Sequence, residues 1–579
     1  MLREGRATLP VPESRKTPAG GKVRGGLAVL GFAIPIGSYF WLIHHYGVNV
    51  VFLDQWGDVG IVRHSYSGNL TLGTLWSQHG EQRILFPNLI VLALSYTTHL
   101  NVVVEQYFSA ILLTLSALLL VLSHKRRSSR GWIWYCPVPI LMFSFVQSVS
   151  TLFGFQLAWY LLILMLAVAL YLLDGPSLSG LALTGAIVAA VVGSFSSLPG
   201  LLIWPAGLIL LYQRRRRLGQ AIAWCFAALA ATVVYLYHYD PSKGVPPHLA
   251  GFDLPGVALS LFFQAIGAVF GVHLTNASGG AKEVELLVGV VVFLIAAYAL
   301  VTRGLNRDVS SGAPIGIALI CFGLLYAGGF AYGRAWAGVA TATSSQYTTF
   351  TLLIVVGSYL ALLDPPVWPI AISGPRTRRV VKFVLAGAIC TQVVLGTASG
   401  LRVASSFHRQ QTEAATVLSD INQVPNPIMQ RDLGSWWLPP RLARSYATTL
   451  RLHHLSLFGS GDVVAYRQHA LAQQKAGAFK YTAPPPPLIL NPHVVRTVKG
   501  SVVMDFVSTG STHATSVDVY LLSGLQSVNL GRATRTTYGW LREWNTTTVR
   551  NGTYQIQTVV HGDRGVSKPA AVTVMIDNP

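Results

Sequence analysis

Long apolar runs recur over the first 400 positions of the chain, broken by short polar segments, and no period-two alternation appears there. Read for length and apolarity, they predict about eleven membrane-spanning helices, at 25–46, 102–123, 132–149, 156–173, 180–195, 197–212, 219–238, 284–302, 314–332, 347–363 and 379–398. Two further apolar stretches, 84–96 and 257–273, are short and interrupted by polar residues, and they are expected to lie along the outer membrane surface. Beyond residue 400 the hydropathy falls, and amphipathic helical patterns appear at 414–421 and 442–457, which predict a small helical region beside the membrane.

The pattern then changes period. A Pro-rich spacer at 484–488, too stiff to extend a helix, leads into short alternating runs at 501–507, 516–522, 554–560 and 571–576, separated by Gly, Ser, Thr and Asn. These predict a small β-sandwich over 489–579. The expected organisation is thus a basic cytoplasmic tail (1–24), a transmembrane domain (25–400) with a first outer loop at 47–101, an extracytoplasmic helical region (401–483), the linker and the sandwich.

Composition supports a bilayer as the main solvent: 52% of the 579 residues are apolar, only 11% are charged, and the mean hydropathy is +0.48. A formal charge of +20 raises the question of nucleic acid, yet the basic residues sit between apolar runs and form no stripe interleaved with aromatics. They follow topology instead. With 84–96 and 257–273 outside, 20 of the 25 Lys and Arg residues before position 401 fall on the cytoplasmic side, leaving Arg63, Arg83, Lys243, Lys282 and Arg334 outside. The N-terminus is then cytoplasmic and the C-terminal portion extracytoplasmic, in a plasma membrane. The apolar run 25–46 lacks a small-residue cleavage site and is expected to be retained as a span rather than removed as a leader. All four cysteines, Cys136, Cys225, Cys321 and Cys390, fall in apolar segments without metal or redox spacing and are expected to be buried thiols.

Ionisable residues are sparse in this chain and costly to desolvate, so the outer loop 47–83 stands out for holding Asp54, Asp58, His64, His79, Glu81 and Arg83. Asp54 follows the first span in Phe52-Leu53-Asp54-Gln55-Trp56, where a carboxylate can face a cavity at the membrane surface. The loop ends in His79-Gly80-Glu81-Gln82-Arg83, directly before the apolar stretch that is expected to hold Glu81 and Arg83 at lipid-phosphate depth. Arg334, in Tyr332-Gly333-Arg334, and Tyr347, at an outer helix start, are further candidates for lining the cavity.

This order of parts, a first span leading into a long outer loop with an Asp near its start and a second acid before the next span, resembles the GT-C superfamily of polyprenyl-phosphate-sugar-dependent glycosyltransferases. The resemblance covers 25–400 and is sharpest at Asp54 and looser at Glu81. It implies an inverting transfer at the outer leaflet from a polyprenyl-phosphate-linked sugar to a glycan or lipid acceptor of the cell envelope. In that scheme Asp54 takes the acceptor hydroxyl's proton, Glu81 assists, and Arg83 and Arg334 meet the departing phosphate, with Asp58, His79 and Tyr347 around the substrate. The Asp54-Gln55-Trp56 triplet departs from the paired acids of some members, which leaves use of a divalent metal, Mg or Mn, open. The strand-rich end, with Tyr538-Gly539-Trp540, Trp544-Asn545-Thr546-Thr547 and Asn551-Gly552-Thr553-Tyr554, resembles the Ig-like modules of bacterial surface proteins.

No Gly-rich phosphate loop, HExxH or GxSxG occurs, so nucleotide hydrolysis, zinc proteolysis and α/β-hydrolase chemistry lack support. A lipid-linked oligosaccharide flippase and a non-catalytic assembly scaffold are the competing readings. Transport predicts ionisable groups deep in the spans, whereas the acids here lie mostly at loop depth.

Overall fold

The computed structural model describes residues 19–240, 255–272, 280–304, 310–335, 345–364, 375–435, 438–476, 488–490 and 497–508, and the segments 514–523, 526–536, 539–562, 565–567 and 570–578. The basic tail 1–18, the spacer 484–487 and the Trp436-Trp437 pair lie outside the described residues.

The helical part begins with α1 (Ala19–Tyr46), α2 (Gln55–Tyr66), α3 (Leu72–Leu75) and a two-residue hairpin of β1 (Gln78–His79) with β2 (Gln82–Arg83). Helices α4 (Leu85–Thr98), α5 (Val102–Lys125), α6 (Pro137–Met142), α7 (Ser148–Leu152), α8 (Leu157–Leu173), α9 (Gly180–Ser194), α10 (Ile203–Gln213) and α11 (Leu218–Leu236) follow. The bundle closes with α12 (Pro255–Gly267), α13 (Gly280–Ala299), α14 (Ala313–Arg334), α15 (Thr348–Leu363) and α16 (Pro375–Ser419), and α17 (Asn426–Asp432), α18 (Pro440–Leu452) and α19 (Val463–Lys475) pack beside it.

Among the described residues, eight segments are long and apolar enough to cross a membrane. The expected spans at 180–195 and 197–212 are shorter helices, and 132–149 is not one helix: Pro137 and Pro139 restart the chain and Ser144 opens a new turn. The Met142 carbonyl freed by that break is met by a side chain, Gln147 Nε2 donating to it at 2.6 Å, and the Ser144 hydroxyl accepts from Gln392 Nε2 at 2.6 Å. The stretch expected to lie flat at 257–273 instead packs along the bundle. Gly267 and Gly289 let α12 and α13 touch backbone to backbone, since a Cβ on Gly267 would fall 1.9 Å from the Glu285 carbonyl oxygen.

The boundary expected at residue 400 falls inside α16, a single helix of 45 residues. At 1.5 Å per residue it runs roughly 68 Å, about twice the hydrocarbon thickness, so one half protrudes. Residues on that half, Phe407, Ala414 and Leu418, share a hydrophobic core with α1, α5 and α8, as do Leu433, Leu438 and Leu450 of the helical region. The drop in hydropathy marks an exit from apolar surroundings, not a separate domain. Of the cysteines, Cys136 is buried and Cys321 half-buried, whereas Cys225 and Cys390 are exposed on the bundle's outer surface, because that surface is itself apolar.

The bundle has two unlike ends. At one lie the start of α5, the end of α11 and the end of α14; at the other, the arginine-rich turns after α5 and α10 meet the start of α14 and the end of α15.

The C-terminal segment is a two-sheet sandwich. One sheet runs β4 (Thr497–Val498), β12 (Ala570–Ile576), β10 (Gly552–Gly562), β6 (Ala514–Ser523), β7 (Gln526–Arg532), with β11 (Gly565–Val566) on β10. The other runs β3 (Leu488–Leu490), β5 (Ser501–Ser508), β9 (Gly539–Asn545), β8 (Thr534–Thr536). Inward alternation of Val517, Val519 and Leu521 meets Met504, Phe506, Trp540 and Trp544 from the opposite sheet in one closed core.

Candidate active site on the first loop

Asp54 sits where α2 begins, after Leu53, whose φ of +52° is a left-handed conformation that a leucine adopts only when its surroundings fix it. The fixing groups come from far along the chain. The Leu53 N–H and the Trp56 indole both donate to the Leu433 carbonyl, at 3.1 and 3.2 Å, and Gly434 packs on the Leu53 side chain with no room for a Cβ. The Asp54 carboxylate makes no cap hydrogen bond to its helix. It is surrounded by protein atoms, yet 44% of its side-chain surface is accessible, so the carboxylate can be reached from outside. Burial raises its pKa above the ordinary value; His79 opposes that rise, Glu81 adds to it and Arg334 opposes it. The structure therefore brings Asp54, His79, Glu81 and Arg334 within electrostatic reach of one another.

His79 approaches Asp54 Oδ1 with Nε2 at 4.0 Å and leans on Phe155, ring centroids 4.9 Å apart. Gly57 makes this approach feasible, since a Cβ there would lie 3.0 Å from His79 Nδ1. Glu81 occupies the turn of the β1–β2 hairpin beside Gly80, which has φ +55°. Its carbonyl accepts from the Tyr235 and Tyr239 hydroxyls at 3.0 and 3.2 Å, and its carboxylate is paired with the Arg334 guanidinium at the end of α14.

Arg83 takes a different place from the one expected. It is 3% exposed and donates to three backbone carbonyls, Trp76 at 2.7 Å, Tyr235 at 2.8 Å and Tyr237 at 2.6 Å, while lying over the Trp76 ring. Its fork ties α3 and the end of α11 to the hairpin that carries Glu81. Tyr347 contributes to an aromatic wall with Phe330 at 4.6 Å and Trp159 at 6.1 Å between centroids. Tyr326 lies within electrostatic reach of Tyr347, Arg334 and Glu81, linking that wall to the ion pair.

Asp58, one turn into α2, is 5% exposed, and burial followed by the charge of Asp54 pushes its pKa well above the ordinary carboxyl value. Sequence reasoning missed the group behind it. Glu105, 1% exposed in the first turn of α5, accepts from Gln55 Nε2 at 2.9 Å, and Gly154 leaves the space for both. Its signal was present: a lone carboxylate one turn inside an apolar helix.

Beyond Arg83, α4 turns one face inward and leaves an open apolar groove of about 380 Å³ between Phe86, Leu89, Ile90 and Leu94 of α4, Phe108, Leu161 and Val192. Among the described residues no group of three or more His, Cys, Asp or Glu converges as metal ligands, and Glu81 already faces a guanidinium.

No family model matches the chain, and no curated protein does. Two solved structures are similar to it at low identity. ArnT from Cupriavidus metallidurans bound to undecaprenyl phosphate aligns over 82% of this chain and 84% of that one, at 13% identity and a TM-score of 0.36. The archaeal oligosaccharyltransferase AglB from Archaeoglobus fulgidus, in complex with an inhibitory peptide and a dolichol-phosphate, aligns over 90% of this chain and 77% of that one, at 12% identity and a TM-score of 0.36. On its own elements the chain is a multi-pass helical membrane protein with a C-terminal β domain.

Proposed function

We propose that this chain transfers a sugar from a polyprenyl-phosphate donor to a glycan or lipid acceptor of the cell envelope, at the end of the bundle that carries the first loop. The observation that carries the reading is Asp54: a partly accessible carboxylate beside a left-handed backbone residue, with an elevated proton affinity and a guanidinium nearby. An acceptor hydroxyl is a weak nucleophile, and a carboxylate whose pKa is raised is a better base for its proton than an ordinary one. As the oxygen attacks the anomeric carbon, the bond to the lipid phosphate breaks on the opposite face, which inverts the anomeric configuration. Charge then grows on the phosphate. Arg334 is the guanidinium available to meet it, held in place by Glu81. His79 orients the Asp54 carboxylate, and Asp58, behind it, keeps the base's surroundings poor in water. The apolar groove beside α4 supplies a berth for a polyprenyl chain leading away from the phosphate.

The test is a turnover assay with purified protein and a panel of polyprenyl-phosphate monosaccharides, together with envelope glycan. Release of free polyprenyl phosphate that depends on both substrates is expected. Absence of release across the panel, from folded protein that retains the lipid, counts against the reading.

A further inference from the structure

The opposite end of the bundle carries a concentration of charge that the proposed chemistry does not use. Four segments meet there: 125–130 after α5, 174–179 after α8, 213–217 after α10, and the described residues 302–304 and 310–312 before α14, with Asp364 at the end of α15. Among the described residues these hold nine Lys and Arg against two carboxylates, Asp174 and Asp364. Contacts show that they converge. Arg214 Nε donates to Asp174 Oδ1 at 2.6 Å, Arg127 lies 3.6 Å from the same carboxylate, and Arg214 also reaches the Ser311 carbonyl at 2.9 Å. Arg130 lies 3.8 Å from Asp364, which accepts from Ser128 Oγ at 2.7 Å.

The arginines nearest Asp174 also contact the C-terminus of α8, each through part of its guanidinium. Arg126 reaches the Tyr171 carbonyl at 3.0 Å and lies over the Tyr171 ring, Arg127 reaches the Asp174 carbonyl at 3.0 Å, and Arg216 reaches the carbonyls of Leu173 and Gly175. That helix end offers about half a negative charge, far less than the cluster carries. Burial first, and then the charge of Arg127, pulls the proton affinity of Arg216 below its usual level, as expected where like charges are crowded in a poorly solvated place.

A second observation says what kind of anion fits. Apolar side chains adjoin the cluster on the outside of the bundle: Leu218 is 75% exposed, Ile222 59% and Leu181 85%, with Tyr212 at the edge. These rows run away from the arginines along α9 and α11. A soluble phosphate would use the charge and ignore that surface, whereas a phospholipid would use both.

We propose that this end of the bundle binds the headgroup of an anionic phospholipid, with Arg126, Arg215 and Arg216 around the phosphate and the acyl chains along α9 and α11. Arg215 and Arg126 are exposed, and Arg215 has a left-handed φ of +51°, a conformation that asparagine tolerates.

The test uses the full chain in phosphatidylcholine nanodiscs, titrated with phosphatidylglycerol and read by native mass spectrometry and by the thermal midpoint. Wild type should retain phosphatidylglycerol and unfold at a higher temperature with it. The double variant Arg126→Gln/Arg215→Asn should bind it roughly tenfold more weakly or worse, and Arg126→Lys/Arg215→Lys should bind nearly as wild type. Both variants should match wild type in phosphatidylcholine alone, which controls for folding. Equal retention of phosphatidylcholine, full protection by inorganic phosphate alone, or undiminished binding by the neutral double variant would overturn the proposal. None of these readouts depends on sugar transfer.

Discussion

Removing Arg83 is a test of how the loop is built. Its guanidinium is 3% exposed and forms three hydrogen bonds to carbonyls, all between 2.6 and 2.8 Å. A hydrogen bond involving a charged group contributes about 1.5–3 kcal/mol, but the three share one side chain and water can enter the space left by alanine, so they do not add in full. Arg83→Ala is therefore expected to cost about 3–5 kcal/mol, and Arg83→Lys about 2 kcal/mol because an ammonium cannot span three carbonyls in a fork. The assay is thermal unfolding in detergent, joined to hydrogen exchange of the amides at 76–83, which should lose protection because the hairpin is freed from α11. Donor affinity should fall in step with that loss of order. A variant with wild-type stability and exchange but no donor binding would place the guanidinium on the ligand and refute this account.

Other substitutions probe the same architecture. Burial raises the Asp58 pKa well above its ordinary 3.8, so the folded state binds the extra proton. Stability should then fall as pH rises from 3.8 toward the folded value, by about 1.4 kcal/mol per unit within that window; Asp58→Asn should lessen the fall of the thermal midpoint as pH rises above 3.8, and an unchanged slope would contradict it. Gly154→Ala would place a Cβ 2.3 Å from Glu105 Oε2 and 2.6 Å from Gln55 Nε2, and it is expected to destabilise by about 1–3 kcal/mol, read as a lowered midpoint. In the sandwich, Trp540→Ala should cost about 3–5 kcal/mol of that domain's unfolding free energy while leaving transfer unchanged, since its core is closed on itself; loss of transfer would tie the sandwich to the site.

Eight of the eleven expected spans recur among the described residues as segments long and apolar enough to cross, because a helix in lipid must carry a long apolar run, and the break in 132–149 follows from Pro137 and Pro139. Residue 400 misled because hydropathy reports the surroundings of a helix and not where it stops, and α16 continues through the change. Strands β5, β6, β10 and β12 follow the alternating text closely, whereas β7, Gln526–Arg532, and β9, Gly539–Asn545, interleave Gly, Asn and charge and give no such signal. At the site, Asp54 and Glu81 were visible as rare acids in a greasy chain, and the structure brings them together with Arg334. The role of Arg83 was hidden, because its partners include main-chain carbonyls about 150 positions away that any side chains would present. The clamp of Leu433 on Leu53 was hidden for the same reason.

Asp54→Asn tests the central claim most directly, since asparagine keeps the shape of the side chain and removes its ability to take a proton. Purified variant and wild type are compared for transfer from a polyprenyl-phosphate sugar that wild type uses, with thermal midpoint and donor retention measured on the same samples. Transfer should drop by about two to four orders of magnitude with folding and donor retention preserved. Transfer at the wild-type rate by the folded variant would contradict the assignment of Asp54 as the base and the mechanism built on it.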